Sequence, residues 1–420
     1  MSTSRAIDWD TAQRIGELIA GSPAYGGPAG RSVQPLAHEF AGRVGEYTGL
    51  SLPAELPPLE MVDRPTWIAA NLLTMRPLLD PLLERLESED GDADDERRGE
   101  DGEPGTSGAD LGGGDGRPGA SGADSGSVDG GGGVGGLLSG PLRSASGSLR
   151  SASGHLLGAQ LGAVTGMLSQ RVLGQYDVSL LDASAPPRLL LLAPNLAAAA
   201  RNLGVDRDEL IAWVAIHEIT HAVQFSGAPW LRDHLGGMLR ELLEGLRGIG
   251  DRPSAAGGSS GGNGFGWLRD PGALLDRARD GELRTLVDRA RRGELLRLGL
   301  GDERWTLVER MQATMSLIEG HAEHTMDAVG AELLPSLPRL RAAMTRRRES
   351  RGLPWRVLER LLGLELKLRQ YEVGRRFCDA VVHAGGPETL AVAWRSPAEL
   401  PTAAELAEPA RWLQRVGVPA

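Results

Sequence analysis

The stretch "AIHEITHAVQF" at 215–225 sets two histidines four residues apart, with a glutamate directly after the first. On an α-helix, residues i and i+4 share one face, so His217 and His221 can present imidazole nitrogens to a single metal ion. Glu218 is rotated by about 100° from His217, which puts its carboxylate beside the metal rather than on it. There it can take a proton from a zinc-bound water, whose pKa the metal lowers to about 7. Trp213, Val214, Ile216 and Val223 make the surrounding helix strongly apolar. A His/Glu/His cluster buried there without a partner would be costly. The bland alternative is a core helix whose polar side chains are simply satisfied.

A catalytic zinc needs a third protein ligand and one open position. A histidine six residues past His221 would complete a three-histidine pattern, but that position is Gly227, and Gln224 stands where the pattern wants glycine. The remaining source is a carboxylate on a later helix, and "SLIEGHAEHTMDAVG" at 316–330 is the dense candidate. Glu319, Glu323 and Asp327 recur there at four-residue intervals on one face. Glu319 is the favoured ligand, with Glu323 and Asp327 behind it to hold ligating groups; the alternative register makes Glu323 the ligand, supported by Asp327. His321 and His324 fall on other faces, each a candidate either to hydrogen-bond a developing oxyanion or to be an ordinary polar contact; Tyr371 in "RQYEVGRRF" is a candidate phenolic donor to the transition state, a helix-packing tyrosine being the commoner outcome.

These residues need helices to carry them. Residues 1–86 read as helical, with "WIAANLLTMRPLLDPLLERLE" from Trp67 showing i, i+3, i+4, i+7 apolar spacing. From Glu87 to about Ser153 the pattern gives way to an acidic, then Gly/Ser-rich stretch, expected to be a disordered insert. "HLLGAQLGAVTGMLSQRVLGQYD" is a helix rich in small residues, suited to close packing, with Tyr176 and Asp177 anchoring its end. "RLLLLAPN" at 188–195 reads as a buried strand stopped by Pro-Asn. Asp206 caps the helix that runs through the motif to about Phe225, with Glu209 at the capping-box position. A Gly-rich loop at 250–266, a candidate insertion to gate or cover the cleft, and a charged surface helix pair follow. Long helices are then expected over 303–329, 335–349 and 354–384, before the tail "LPTAAELAEPARWLQRVG". The fold class is predominantly α (α+β), with a small sheet near 160–195. Its three parts are 1–86, the insert 87–153, and a catalytic domain over 154–420.

The chain has 420 residues and a formal net charge of −11. The insert between Glu87 and Asp129 holds 14 Asp/Glu against three Arg, which accounts for the whole imbalance. The folded remainder is neutral, so no basic excess is left for nucleic acid or anionic lipid. The single cysteine, Cys378, excludes an internal disulfide and fits a reducing cytoplasm; it is most simply a core residue. The N-terminus shows no signal-peptide h-region, and "LLLLAPNLAAAA" is too short and too broken to span a membrane. A cytoplasmic protein is expected.

"HEITH" with the later "EGHAEHTMD" resembles a gluzincin, a zinc peptidase with two histidines and one glutamate as ligands. The "EGH" is similar to the glutamate-glycine third-ligand stretch of the neutral aminopeptidases, and that likeness marks Glu319. The two motifs lie further apart here than in those enzymes. More closely, the chain resembles the actinobacterial zincin-like family of zinc-dependent metalloproteases, in a subgroup associated with biosynthesis of a deazaflavin coenzyme. "SQRVLGQYD", "LLLLAPN", "WVAIHEITHAVQF", "SLIEGHAEHTMD", "KLRQYEVGRRFCDAV" and the tail carry that likeness. It implies a zincin-like fold and one Zn2+ per chain. The function expected is a zinc metallohydrolase, most simply a peptidase, with Glu218 as general base and a peptide or other amide as substrate. The rivals are a zinc amidohydrolase in deazaflavin coenzyme metabolism and a catalytically silent zincin-fold interaction protein; the intact Glu218 counts against the second.

Overall fold

The computed structural model describes residues 7–21, 34–81, 139–182, 184–247, 302–349 and 364–418. The Gly-rich loop 250–266, the charged helix pair after it, and the acidic part of the insert lie outside these residues. Among the described residues four helices and a strand come first in chain order: α1 (Trp9–Ala20), α2 (Gln34–Thr48), β1 (Leu59–Val62), α3 (residues 64–81) and α4 (Ser139–Ser169). Then follow β2 (Gly174–Asp177), β3 (Arg188–Leu192), α5 (Ala193–Leu203), α6 (Arg207–Gly227) and α7 (Trp230–Arg247). The described residues from 302 on are helical: α8 (Asp302–Leu333), α9 (Leu337–Glu349), α10 (Leu364–Gly385) and α11 (Pro387–Leu390), a 3-10 turn at Ala391–Trp394, α12 (Ala403–Ala407) and α13 (Pro409–Arg415). The fold is thus mostly helical around one small sheet.

The sheet has the order β1-β3-β2, with β3 parallel to β1 and antiparallel to β2. The leucine run of β3 is unbroken because both of its faces are covered. Leu189 and Leu191 join the core built on α2, α5 and α6, while Leu190 and Leu192 join a second core with Trp9, Val62 and Ile68. β1 is a correction to the all-helical reading of the first 86 residues. Four residues between Pro58 and Asp63 are too short to show a period, and only pairing with β3 makes them a strand. "GQYD" is a second correction: Tyr176 and Asp177 do not end a helix but form β2, antiparallel to β3.

Pro194 does not merely stop the strand. It sits in the first turn of α5, where its missing N–H costs nothing. The Asn195 amide beside it donates to Ser169 O at 2.7 Å and Val172 O at 2.6 Å, and its oxygen accepts from Arg64 Nε at 2.9 Å. That side chain therefore fixes the end of α4 and the approach to β2. α4 itself begins at Ser139, inside the stretch expected to be disordered up to Ser153. Its leucines at 142, 149 and 156 recur at a helical interval that the Gly/Ser composition masks. Further along, Gly158, Gly162 and Gly166 lie against the backbone of α1, the close packing that the small residues foretold.

The 21-residue α6 runs through the middle of the molecule and is buried on nearly all sides, which explains its weak amphipathicity. Asp206 caps it by accepting from the Glu209 N–H at 2.9 Å. The Glu209 carboxylate does not close a capping box; it accepts from Ser336 N at 3.1 Å and from the Ser336 hydroxyl, tying α6 to the turn before α9. A third core, around Leu231, Phe377, Trp394 and Trp412, seats the C-terminal helices on α7 and α8; Cys378 is buried in it. No helix among the described residues is long and apolar enough to cross a membrane.

Candidate metal centre

His217 and His221 leave α6 one turn apart with their Nε2 atoms 3.2 Å from each other. α8 crosses α6 so that Glu319 Oε2 lies 3.6 Å from His217 Nε2 and 3.5 Å from His221 Nε2. Three ligand atoms held about 2.0–2.1 Å from a tetrahedral zinc stand roughly 3.3 Å apart, so this triangle has the right size for the ion. Among the described residues it is the one group of three such side chains able to share a metal. The structure thus brings together His217, His221 and Glu319.

Electrostatics match that donor set. Burial opposes charge on Glu319, but the two histidine side chains 3.5–3.6 Å away outweigh it and hold its carboxyl well below the usual range. Burial likewise opposes a charged His221, yet the Glu319 carboxylate wins and lifts its pKa from 6.5 to about 9. Glu218 stands beside this triangle, buried, with Oε2 accepting the Tyr176 backbone N–H at 2.8 Å. Burial first of all raises its pKa, against the pull of the neighbouring histidines. Strand β2 therefore aims the carboxylate, and Gly174 leaves room for it, since a Cβ there would come within 2.7 Å of Glu218 Oε1.

A cavity of about 170 Å³ opens next to the triangle, lined by Leu173, Gly174, Trp213, Val214, His217, Glu218, Glu323, Met326 and Met344. Glu323 is on this wall, one turn beyond the ligand position. Asp327 departs from its expected part. Two turns past Glu319 it has rotated toward α9 and α10, and it pairs with Arg341 and with Arg375, the latter at 2.8 Å, instead of holding a ligating imidazole.

His321 and His324 make ordinary polar contacts, the second of the two readings open to them. His321 is 2 % exposed, its ring edge-on to Trp394 at 4.9 Å and its Nδ1 2.8 Å from Gln224 Nε2. Burial, with the charges of His324 and His221, pushes its pKa down to about 3. His324 points the other way, its Nε2 2.7 Å from the Tyr47 hydroxyl and its Nδ1 2.6 Å from Asp379 Oδ1. That chain joins α2, α8 and α10. Tyr371 belongs to α10, but its side chain lies outside the described residues. The sequence reading missed two contributions, the Tyr176 N–H on Glu218 and the Gln224 amide on His221. The first is a backbone group and leaves no trace in composition. The second was visible as the residue that breaks the three-histidine pattern.

The glycine of "EGH" has a structural reason. A Cβ on Gly320 would overlap the Gly374 backbone, and one on Gly374 would overlap the Ser316 carbonyl, so α8 and α10 touch backbone to backbone at the turn that carries Glu319.

Residues 7–413 match the sequence profile of the Zincin-like metallopeptidase family. The chain belongs to that family. This zincin-like chain also aligns with a crystal structure titled "a putative hydrolase with a novel fold", from Chloroflexus aurantiacus, at 26 % identity and a TM-score of 0.57, covering 99 % of this chain and 100 % of that one. No curated protein matches it.

Proposed function

We propose that this zincin-like chain is a zinc-dependent peptidase that hydrolyses an amide next to an apolar side chain. The observation that carries it is the triangle of His217 Nε2, His221 Nε2 and Glu319 Oε2, at 3.2–3.6 Å spacings, with the Glu218 carboxylate beside it. These three groups would hold the metal, which when bound supplies Lewis acidity and lowers the pKa of a coordinated water to about 7. Glu218 carries the proton traffic. Its raised pKa brings a carboxylate closer to neutrality, where it can accept a proton from the attacking water and return it to the leaving amine. The Tyr176 N–H holds one carboxylate oxygen, so the other is the oxygen that exchanges the proton. Leu173, Trp213, Val214, Met326 and Met344 form an apolar wall beside the base, and the cavity they line fits one substrate side chain rather than an extended ligand.

The test is an unbiased peptide-library digest with metal analysis. Wild type should carry about one zinc per chain and cleave beside a large apolar residue. Glu218→Gln should keep the zinc and lose cleavage, because an amide cannot accept the proton. Cleavage by Glu218→Gln at the wild-type rate would refute the mechanism. A zinc-loaded wild type that leaves the whole library intact would favour a non-peptide amide, such as one in deazaflavin coenzyme metabolism.

A further inference from the structure

An imidazole can give a metal only the nitrogen that carries no proton, so a neutral histidine ligand must be fixed in one tautomer by whatever its other nitrogen touches. For His221 that partner is a neutral amide. Gln224, one turn along α6 and 0 % exposed, lies with Oε1 2.8 Å from His221 Nδ1. A carbonyl oxygen can only accept, so Nδ1 keeps its proton, and the proton on Nε2, facing Glu319, is the one a metal would displace.

The amide cannot turn over. Its Nε2 donates to Ile318 O at 2.9 Å and to His321 Nδ1 at 2.8 Å, and a flipped amide would set its oxygen against the Ile318 carbonyl. Both N–H bonds and the oxygen are thus used in a site closed to water, where any one of them left unmade is costly. Ile318 precedes the ligand Glu319, so a single side chain ties the His221 turn of α6 to the Glu319 turn of α8. His321 extends the chain outward to Trp394, whose carbonyl accepts from Trp230 Nε1 at 3.0 Å. The C-terminal segment is thereby coupled to the metal ligands.

Resting on the reading of the triangle as a metal site, we infer that Gln224 is a positioning residue that sets the tautomer and orientation of His221. Because the partner is an amide and not a carboxylate, it orients the imidazole without adding negative charge behind it. His221 is left a weaker donor than a carboxylate-backed histidine would be.

Chelator competition for zinc, with the Co2+ absorption spectrum as a second readout, tests this on the full chain. Gln224→Leu removes all three hydrogen bonds at similar volume and should weaken zinc binding about 10–100-fold, with an altered Co2+ spectrum. Gln224→Glu restores an acceptor for His221 Nδ1. It should bind zinc at least as tightly as wild type, even where the lost donation to Ile318 O lowers its melting temperature. That split separates orientation of the ligand from general support of the core. Wild-type zinc affinity in Gln224→Leu overturns the inference, and so does equal weakening in both variants. If Gln224→Leu fails to fold, Gln224→Glu decides alone, a tenfold loss of affinity being the refuting result. A wild-type chain that takes up no zinc overturns the metal reading and this inference together.

Discussion

Gly374 touches no proposed ligand, yet replacing it should damage the metal centre. A Cβ at this position would overlap the Ser316 carbonyl oxygen and lie 2.7 Å from the Ser316 carbon and 3.3 Å from Gly320 Cα. Unstrained carbon–carbon contacts need about 3.5–4.0 Å, so α8 and α10 must part by roughly 1 Å. The obstructing atoms are backbone and cannot rotate away, which puts the cost at the upper end of the ~1–3 kcal/mol typical of overpacking. Alanine's better helix propensity returns up to about 1 kcal/mol, leaving a net loss of roughly 2 kcal/mol. The functional cost comes from where the strain falls. Ser316 and Gly320 flank Glu319, and a metal site tolerates ligand shifts of only about 0.2 Å. Gly374→Ala should therefore lower zinc affinity at least about tenfold as well as the melting temperature. Gly237→Ala in α7 is the control, because a Cβ there meets nothing within 4 Å; it should stabilise by roughly 0.5–1 kcal/mol. Thermal unfolding with and without zinc, with chelator titration, reads both effects. A Gly374→Ala chain with unchanged zinc affinity and stability would refute the claim that the crossing positions Glu319.

Other outcomes follow from the same geometry. Glu319→Ala should abolish zinc retention in metal analysis, whereas Glu323→Ala, on the cavity wall, should retain it; the reverse would put the ligand one turn further along. Metal and proton compete for His221, whose metal-free pKa is raised to about 9 by Glu319. Zinc affinity should accordingly rise as pH increases toward 9, with proton release on binding near pH 7 measurable by calorimetry in buffers of different ionisation enthalpy. The sign reverses for the metal-free protein. A raised folded pKa stabilises fully below the unfolded value of about 6.5, and that contribution should fade as pH rises through 9. Asn195→Ala orphans the buried Ser169 carbonyl and the part-buried Val172 carbonyl and should cost roughly 1–3 kcal/mol, chiefly from the first, read by thermal unfolding.

Sequence alone reached whatever depends on short-range spacing. The i, i+4 histidines, the adjacent glutamate, the Asp206 cap and the unbroken leucines of β3 follow from helix and strand periods, which are local. Glu319 could be favoured over Glu323 but not separated from it by spacing, because both lie on the same face of α8. The backbone crossing at Gly320 and Gly374 and the approach of α6 decide which carboxylate stands 3.5 Å from His221. β1 escaped notice because four residues carry no period, and a strand exists only through its partner. The partners of Asp327, His321 and His324 could not be read from spacing for a related reason. Helical phase places a side chain on a face, but the helix packed against that face decides its partner: Arg341 and Arg375 for Asp327, Gln224 for His321, and Tyr47 with Asp379 for His324. Hydrogen bonds and charge pairs act over a few ångströms between elements distant in sequence, and only the tertiary fold sets those distances.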